Sequence, residues 1–271
     1  MTSLGNVSGA EGPIAGTDAW EPIRRFTTAR VGMPRAGNAL ATRAVLELAS
    51  AHAAARDAVH VPLDVPRLSD ELRRLRLGEP TVVASAASTR GEYLRRPDLG
   101  RRPAQMLATS PDEHDVAVVV IDGLSPRAVQ AHAYPLLAAL LPRLPGLRVA
   151  APVIATQGRV ALGDHIGAAL RADVAVVLIG ERPGLSAADS LGAYLTYGPT
   201  PGRAESERNC VSNIRPPGGL SYDVASTTLA ALVHGARALG VSGITLKQDQ
   251  PPPAVTLRAG RRPRMSGDRG P

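Results

Sequence analysis

Apolar residues fill nearly every position of three strand-length stretches: VAVVVI at residues 116–121, the core of LRVAAPVIA at 147–155, and VAVVLI at 174–179. Short runs that are apolar on both faces suit strands covered on both sides, as in a parallel sheet packed between helices. The segments around them carry helical spacing: SPRAVQAHAYPLLAALLPRL after the first, GDHIGAALRA before the third, and SYDVASTTLAALVHGARALG further on, with ITLK expected as a last strand. Strands alternating with helices predict an α/β fold, a Rossmann-like, mostly parallel sheet with flanking helices over residues 109–247.

Residues 20–108 carry a different pattern and predict a smaller helical N-terminal lobe. ALATRAVLELASAHAAARDAVH offers Thr42 as N-cap and a face of Val45, Leu48, Ala49 and Ala53. LSDELRRLRLG is expected as a shorter helix from Ser69 to Gly78, followed by a TVVASA strand and an arginine-rich loop, STRGEYLRRPDLGRRP. Residues 1–19 and 248–271 lack periodicity and are expected to be disordered tails, the second rich in Pro and Arg.

The 271 residues can bury one good core, and no apolar run approaches the ~18 residues of a membrane span. The start of the chain lacks the basic and apolar regions of a signal peptide, so a cytoplasmic protein without membrane partners is expected. Its net charge of +7 raises a nucleic-acid partner, yet residues 251–271 hold five arginines against Asp268, which accounts for +4. With 3% aromatic residues, stacking platforms for single strands are excluded and no nucleic-acid partner is expected. One cysteine rules out an internal disulfide, and the six histidines show no metal-ligand spacing, so no metal site is expected.

Candidate chemistry concentrates in residues 158–215. Glu181 follows a buried strand inside Gly180-Glu181-Arg182-Pro183-Gly184. It reads either as a solvated partner of Arg182 or as an acceptor facing a ligand at the carboxyl edge of the sheet. Asp122, at the end of the first strand, reads as a helix cap or ligand contact, and Asp164 in GDHIG as an N-cap. No G-x-G-x-x-G follows the first strand, which removes support for nicotinamide chemistry. Cys210 has no nearby base, and a thiolate there would depend on Arg208. Asn209, Ser212 and Asn213 offer groups for a polar ligand.

The strings RRFTTARVGMPRAG, AHAAARDAVH, YLRRPDLGRRP, GRVALGDHIG, LIGERPGLSAADSLGAYLTY, RNCVSNIRP and SGITLK, in this order, resemble the small subunit of ethanolamine ammonia-lyase over roughly residues 20–247. The resemblance implies a carbon–nitrogen lyase subunit that acts with a large TIM-barrel subunit, in a hetero-dodecamer of six large and six small chains. It implies base-on adenosylcobalamin at the interface and conversion of ethanolamine to acetaldehyde and ammonia by radical chemistry. It further implies cobalamin contacts at Val160, Glu181 and Cys210, no catalytic residue on this chain, and residence in the cytoplasm or in a bacterial microcompartment. His165 stands where the family usually has glutamate, and is expected to be a tolerated substitution. A stand-alone nucleotide or phosphate-ligand binding module is the alternative that the fold pattern leaves open.

Overall fold

A computed structural model describes residues 20–246. The two expected tails and Lys247 lie outside the described residues. The described residues divide into two compact units, one ending at Ala51 and the other beginning at His52. In the first, a short helix α1 (Glu21–Arg24) precedes a two-residue hairpin of β1 (Arg35–Ala36) and β2 (Ala39–Leu40), paired antiparallel. Arg24 donates to the carbonyls of Val31 and Gly32 at 2.9 and 2.6 Å, holding the intervening turn. Helix α2 (Thr42–His60) begins in the first unit and ends in the second. Val45 is 47% exposed and Ala49 and Ala53 are also exposed, whereas Ala44 and Ala58 are buried, so the expected face is not the covered one. Alanine recurs on every side of this helix, and periodicity has little contrast from which to pick a face.

The second unit is a six-stranded sheet with helices on both faces. Its elements run α3 (Val65–Arg73), β3 (Thr81–Ala84), α4 (Arg90–Arg95), β4 (His114–Ile121), α5 (Pro126–Leu140), β5 (Val153–Thr156), α6 (Leu162–Ala169), β6 (Ala172–Gly180), β7 (Leu191–Tyr197), β8 (Arg208–Ile214) and α7 (Tyr222–Leu239). In space the strands lie in the order β3-β5-β4-β6-β7-β8. The first four are parallel, and β7 and β8 add an antiparallel edge. The mostly parallel α/β sheet expected from the sequence is therefore present, and it takes in the TVVASA strand as an edge.

Strands β4 and β6 are buried on both faces, and their alternating side chains feed two cores. Val116, Val118, Val120, Val174, Val176 and Leu178 pack with α3, α5 and α7, while Val119, Ile121, Val177 and Ile179 pack with Leu162 and Ile166 of α6. Placing α5 and α6 on opposite faces opens a crevice beyond the carboxyl ends of the strands between them, the usual ligand position in such sheets.

Local chemistry accounts for most boundaries. Ser125 caps α5 by accepting from the Ala128 amide at 3.2 Å, and Ser221 caps α7 through Val224. Gly240 ends α7 with φ +73°, a left-handed turn that costs a glycine nothing. Three further expectations require correction. Helix α3 is capped by Asp64, which accepts from the Arg67 amide at 3.0 Å, while Ser69 lies inside the helix and donates to the Val65 carbonyl. The arginine-rich loop contains α4, capped by Thr89, and a 3-10 turn at Leu99–Arg101. Residues 244–246 form no strand; Gly243–Thr245 is a 3-10 turn. Strands β7 and β8, which carry less continuous apolar character, were not foreseen.

Candidate functional site

A cleft of about 450 Å³ lies beyond the carboxyl ends of β4, β5 and β6. Leu124 enters it from the turn after β4, Arg159 and Val160 from the turn after β5, and Ile179 to Arg182 from the end of β6. Tyr93 of α4, Tyr194 of β7 and Ser212 of β8 complete the lining. The turns after β4 and β6 approach closely: the Leu124 amide donates to the Gly180 carbonyl at 2.9 Å. A Cβ on Gly123, whose φ is +57°, would meet that carbonyl at 2.3 Å, so only glycine allows the approach.

Glu181 is the best-mounted carboxylate of the cleft. Its Oε2 accepts from Ser190 Oγ at 2.5 Å and from the Asn213 amide at 3.2 Å, and its Oε1 from Ser212 Oγ at 2.5 Å. No ion pair joins it to Arg182 among the described residues, so of the two readings of Glu181 the solvated pair is the one set aside. Two devices aim these donors. In the β7–β8 ladder Leu191 faces Ile214 and Ala193 faces Val211, leaving Ser212 and Asn213 together opposite Gly192. Such a bulge turns the strand locally and redirects its side chains and amides. Gly192 supplies the room, since a Cβ there would stand 3.0 Å from Glu181 Oε1. With one donor on Oε1 and two on Oε2, Oε1 retains capacity for a further hydrogen bond.

Val160 lines the cleft and packs against the α6-side core. Cys210 lies just outside the lining: it is exposed and sits directly opposite Tyr194 in the ladder, their side chains interacting. Val160 and Glu181 thus line one cleft, and Cys210 lies beside it, across the ladder from the lining residue Tyr194. Although Cys210 keeps an exposed face, desolvation by the groups packed around its thiol pushes the pKa up, an effect that the hydrogen bond to Tyr194 only partly offsets. Burial raises Tyr194 too. Neither residue is prepared to ionise near neutral pH.

Arg208 does not activate Cys210. Its guanidinium grips Asp164 with two parallel bonds, Nη1 to Oδ1 at 2.6 Å and Nη2 to Oδ2 at 2.7 Å, and both side chains are 2% exposed. Asp164 is therefore not the N-cap of α6, a position held by Ala161. It is the anchor by which α6 grips β8, completed by Arg208 bonds to Thr196, Arg203 and Glu205. Asp122 is not a helix cap either. Buried, it accepts from the amides of Gln157 and Gly158 at 2.8 and 3.2 Å, fixing the turn that carries Arg159 and Val160. Desolvation drives its pKa upward, against the pull of those amides and of Arg90 at 3.5 Å. Asn209 is consumed internally by Gly243 and Leu246, which leaves it unavailable to a ligand. His165 lines a separate groove of about 290 Å³ with Pro103, Met106, Leu107 and Thr109.

Tyr93, Arg159 and Tyr194 were missed. Tyr93 is fully buried, donates to the Gly158 carbonyl at 3.0 Å and has its pKa pushed up to about 12 by desolvation. The guanidinium groups of Arg159 and Arg90 lie 4.7 and 4.8 Å from its ring centroid. Among the described residues no group of three or more His, Cys, Asp and Glu could hold a metal ion, and no helix is long and apolar enough to cross a membrane.

The family model of the ethanolamine ammonia-lyase light chain (EutC) matches residues 17–247. The chain belongs to that family. An ethanolamine ammonia-lyase small subunit from Rhodococcus erythropolis is 53% identical over 240 residues, covering 88% of this chain and 93% of its own length. Those of Azotobacter vinelandii and Bradyrhizobium diazoefficiens are 48% and 49% identical, over 85% and 84% of this chain and 88% and 89% of theirs. Membership as a light chain implies a larger partner subunit and lyase activity in a complex.

Proposed function

We propose that this light chain forms one wall of the adenosylcobalamin site of an ethanolamine ammonia-lyase and that a large TIM-barrel subunit supplies the catalytic centre. The observation that supports the reading is the cleft at the carboxyl edge of the sheet, lined by Val160 and Glu181, with Cys210 beside it opposite Tyr194. The donor set suits a corrinoid with amide side chains and a ribose. Glu181 Oε1 has a lone pair left for an amide N–H or hydroxyl, and Leu124, Val160 and Ile179 offer apolar surface to a macrocycle. At about 450 Å³ the cleft is too small for a whole corrinoid, so it accounts for one edge and leaves the rest to the partner.

When bound, the cofactor supplies the radical chemistry that turns ethanolamine into acetaldehyde and ammonia. The residues here bind and orient. Ser190, Ser212 and the Asn213 amide hold the Glu181 carboxylate in one rotamer, so the acceptor is positioned before the ligand arrives. Val160 and Ile179 exclude water from one edge, and Cys210 adds a small neutral contact. The reading extends to base-on cofactor, six large and six small chains, and residence in the cytoplasm or a bacterial microcompartment.

Co-expression with a large subunit, followed by cobalamin binding and ethanolamine deamination, tests it. Activity should require both chains and adenosylcobalamin, and Glu181→Ala should weaken cobalamin binding about tenfold, the value of one or two lost hydrogen bonds. Turnover by this chain alone, or unchanged affinity in the variant, would remove the assignment.

A further inference from the structure

We propose that the cleft contains an anion-binding corner built from Arg159 and Arg182 beside Tyr93, and that it receives the phosphodiester of the corrinoid's nucleotide tail. The second half rests on the functional reading above; the first stands on the geometry.

Arginines elsewhere in this unit are mostly matched by carboxylates: Arg73 by Glu79, Arg143 by Asp223, Arg171 by Glu113, Arg208 by Asp164. The two arginines that line the cleft are not. Among the described residues neither Arg159 nor Arg182 forms an ion pair, and Nε of Arg159 is buried without a hydrogen-bond partner. A buried donor left unmade costs stability, unless a ligand completes it. The acid of the cleft, Glu181, makes no ion pair with either arginine among the described residues, and its carboxylate is held by Ser190, Ser212 and the Asn213 amide.

Arg159 is also held in place. Its guanidinium lies 4.7 Å from the centroid of the Tyr93 ring, which is itself fixed by the bond from its hydroxyl to the Gly158 carbonyl. Its backbone amide donates to Gly100 at 2.8 Å, and the preceding Gly158 amide donates to Asp122. A planar guanidinium held over a ring suits two phosphate oxygens better than a mobile ammonium would. Arg182, exposed at the rim, adds a second positive charge to the same cleft.

The test uses the purified complex of this chain with its large subunit, binding cyanocobalamin or dicyanocobinamide, which lacks the phosphodiester, ribose and base. Binding is read by equilibrium dialysis and visible absorbance. Arg159→Met should weaken cobalamin 10- to 100-fold and cobinamide less than twofold, with Arg159→Lys in between. Inorganic phosphate should compete with cobalamin on the wild-type complex and not on Arg159→Met. Unchanged cobinamide affinity in the variant establishes that it folds and assembles. Equal loss of both corrinoids, no loss of either, or failure of only the Arg159→Met chain to assemble would overturn the assignment; the last would mean that a carboxylate of the partner fills the corner. If the wild-type complex bound neither corrinoid, the functional reading would fall. Calorimetry with inorganic phosphate would then judge the corner alone, with binding to wild type and not to Arg159→Met sustaining it and absence of binding overturning it.

Discussion

Removing the Asp164 carboxylate should unfasten α6 from β8 at a calculable cost. Arg208 makes five side-chain bonds, two to Asp164 at 2.6 and 2.7 Å and one each to Thr196 at 2.9 Å, Arg203 at 3.1 Å and Glu205 at 3.1 Å. Asp164→Ala deletes the two shortest and leaves a buried cation whose remaining carboxylate, Glu205, is 62% exposed and screened by water. Breaking a buried pair from one side costs ~3–5 kcal/mol. The surviving Glu205 contact places this variant at the lower end, ~3 kcal/mol. Arg208→Met should cost more, because Asp164 would lose both of its arginine bonds while remaining buried. The double variant Asp164→Leu/Arg208→Met should recover much of the loss, since no uncompensated charge remains. Urea denaturation of the purified chain at pH 7, followed by circular dichroism, closes the double-mutant cycle. A loss below ~1 kcal/mol for Asp164→Ala, or strictly additive effects, would mean that the pair is solvated and that α6 is held by apolar packing alone.

Three further outcomes are expected. Tyr93 has a folded pKa of about 12 against 10.0 when unperturbed, so its linked stabilisation, ~3 kcal/mol at most, is complete below pH 10 and is lost as pH rises towards 12. Tyr93→Phe should abolish that loss and remove one step near pH 12 from the absorbance titration at 295 nm. Gly163→Ala would put a Cβ 2.2 Å from Val177 Cγ2, overpacking the α6 interface by ~1–3 kcal/mol, and Val177→Ala should recover part of it in thermal melts. Desolvation by neighbouring groups raises the pKa of the Cys210 thiol, so iodoacetamide should alkylate it more slowly than glutathione at pH 7, with the rate still climbing above the ordinary thiol range; a rate faster than glutathione would contradict that environment.

Part of the candidate site could be read without coordinates, though unevenly. Glu181 declared itself because a charged residue interrupted a doubly buried strand, and the structure puts it at the lip of the cleft. Asp164 was misread as a cap because its partner, Arg208, is 44 residues away and no local pattern announces it. Ser190 and Ser212 look like ordinary loop and strand residues until the pairing of β7 with β8, bulged at Ser212, brings both to one carboxylate. Tyr93 and Arg159 come together only when α4 packs beside the turn after β5.

By itself the sequence determined the central strands β4, β5 and β6 with the helices around them, the alternation that makes an α/β sheet, and the ordered strings that mark the light-chain family. These are local properties, set by side-chain periodicity, caps and turn residues within a few positions of one another. Strand order, the antiparallel edge of β7 and β8, the buried Asp164–Arg208 clasp and the shape of the cleft were decided by tertiary structure. They depend on which distant surfaces bury the most apolar area while satisfying the buried polar groups, a condition on the whole chain that no single segment can express.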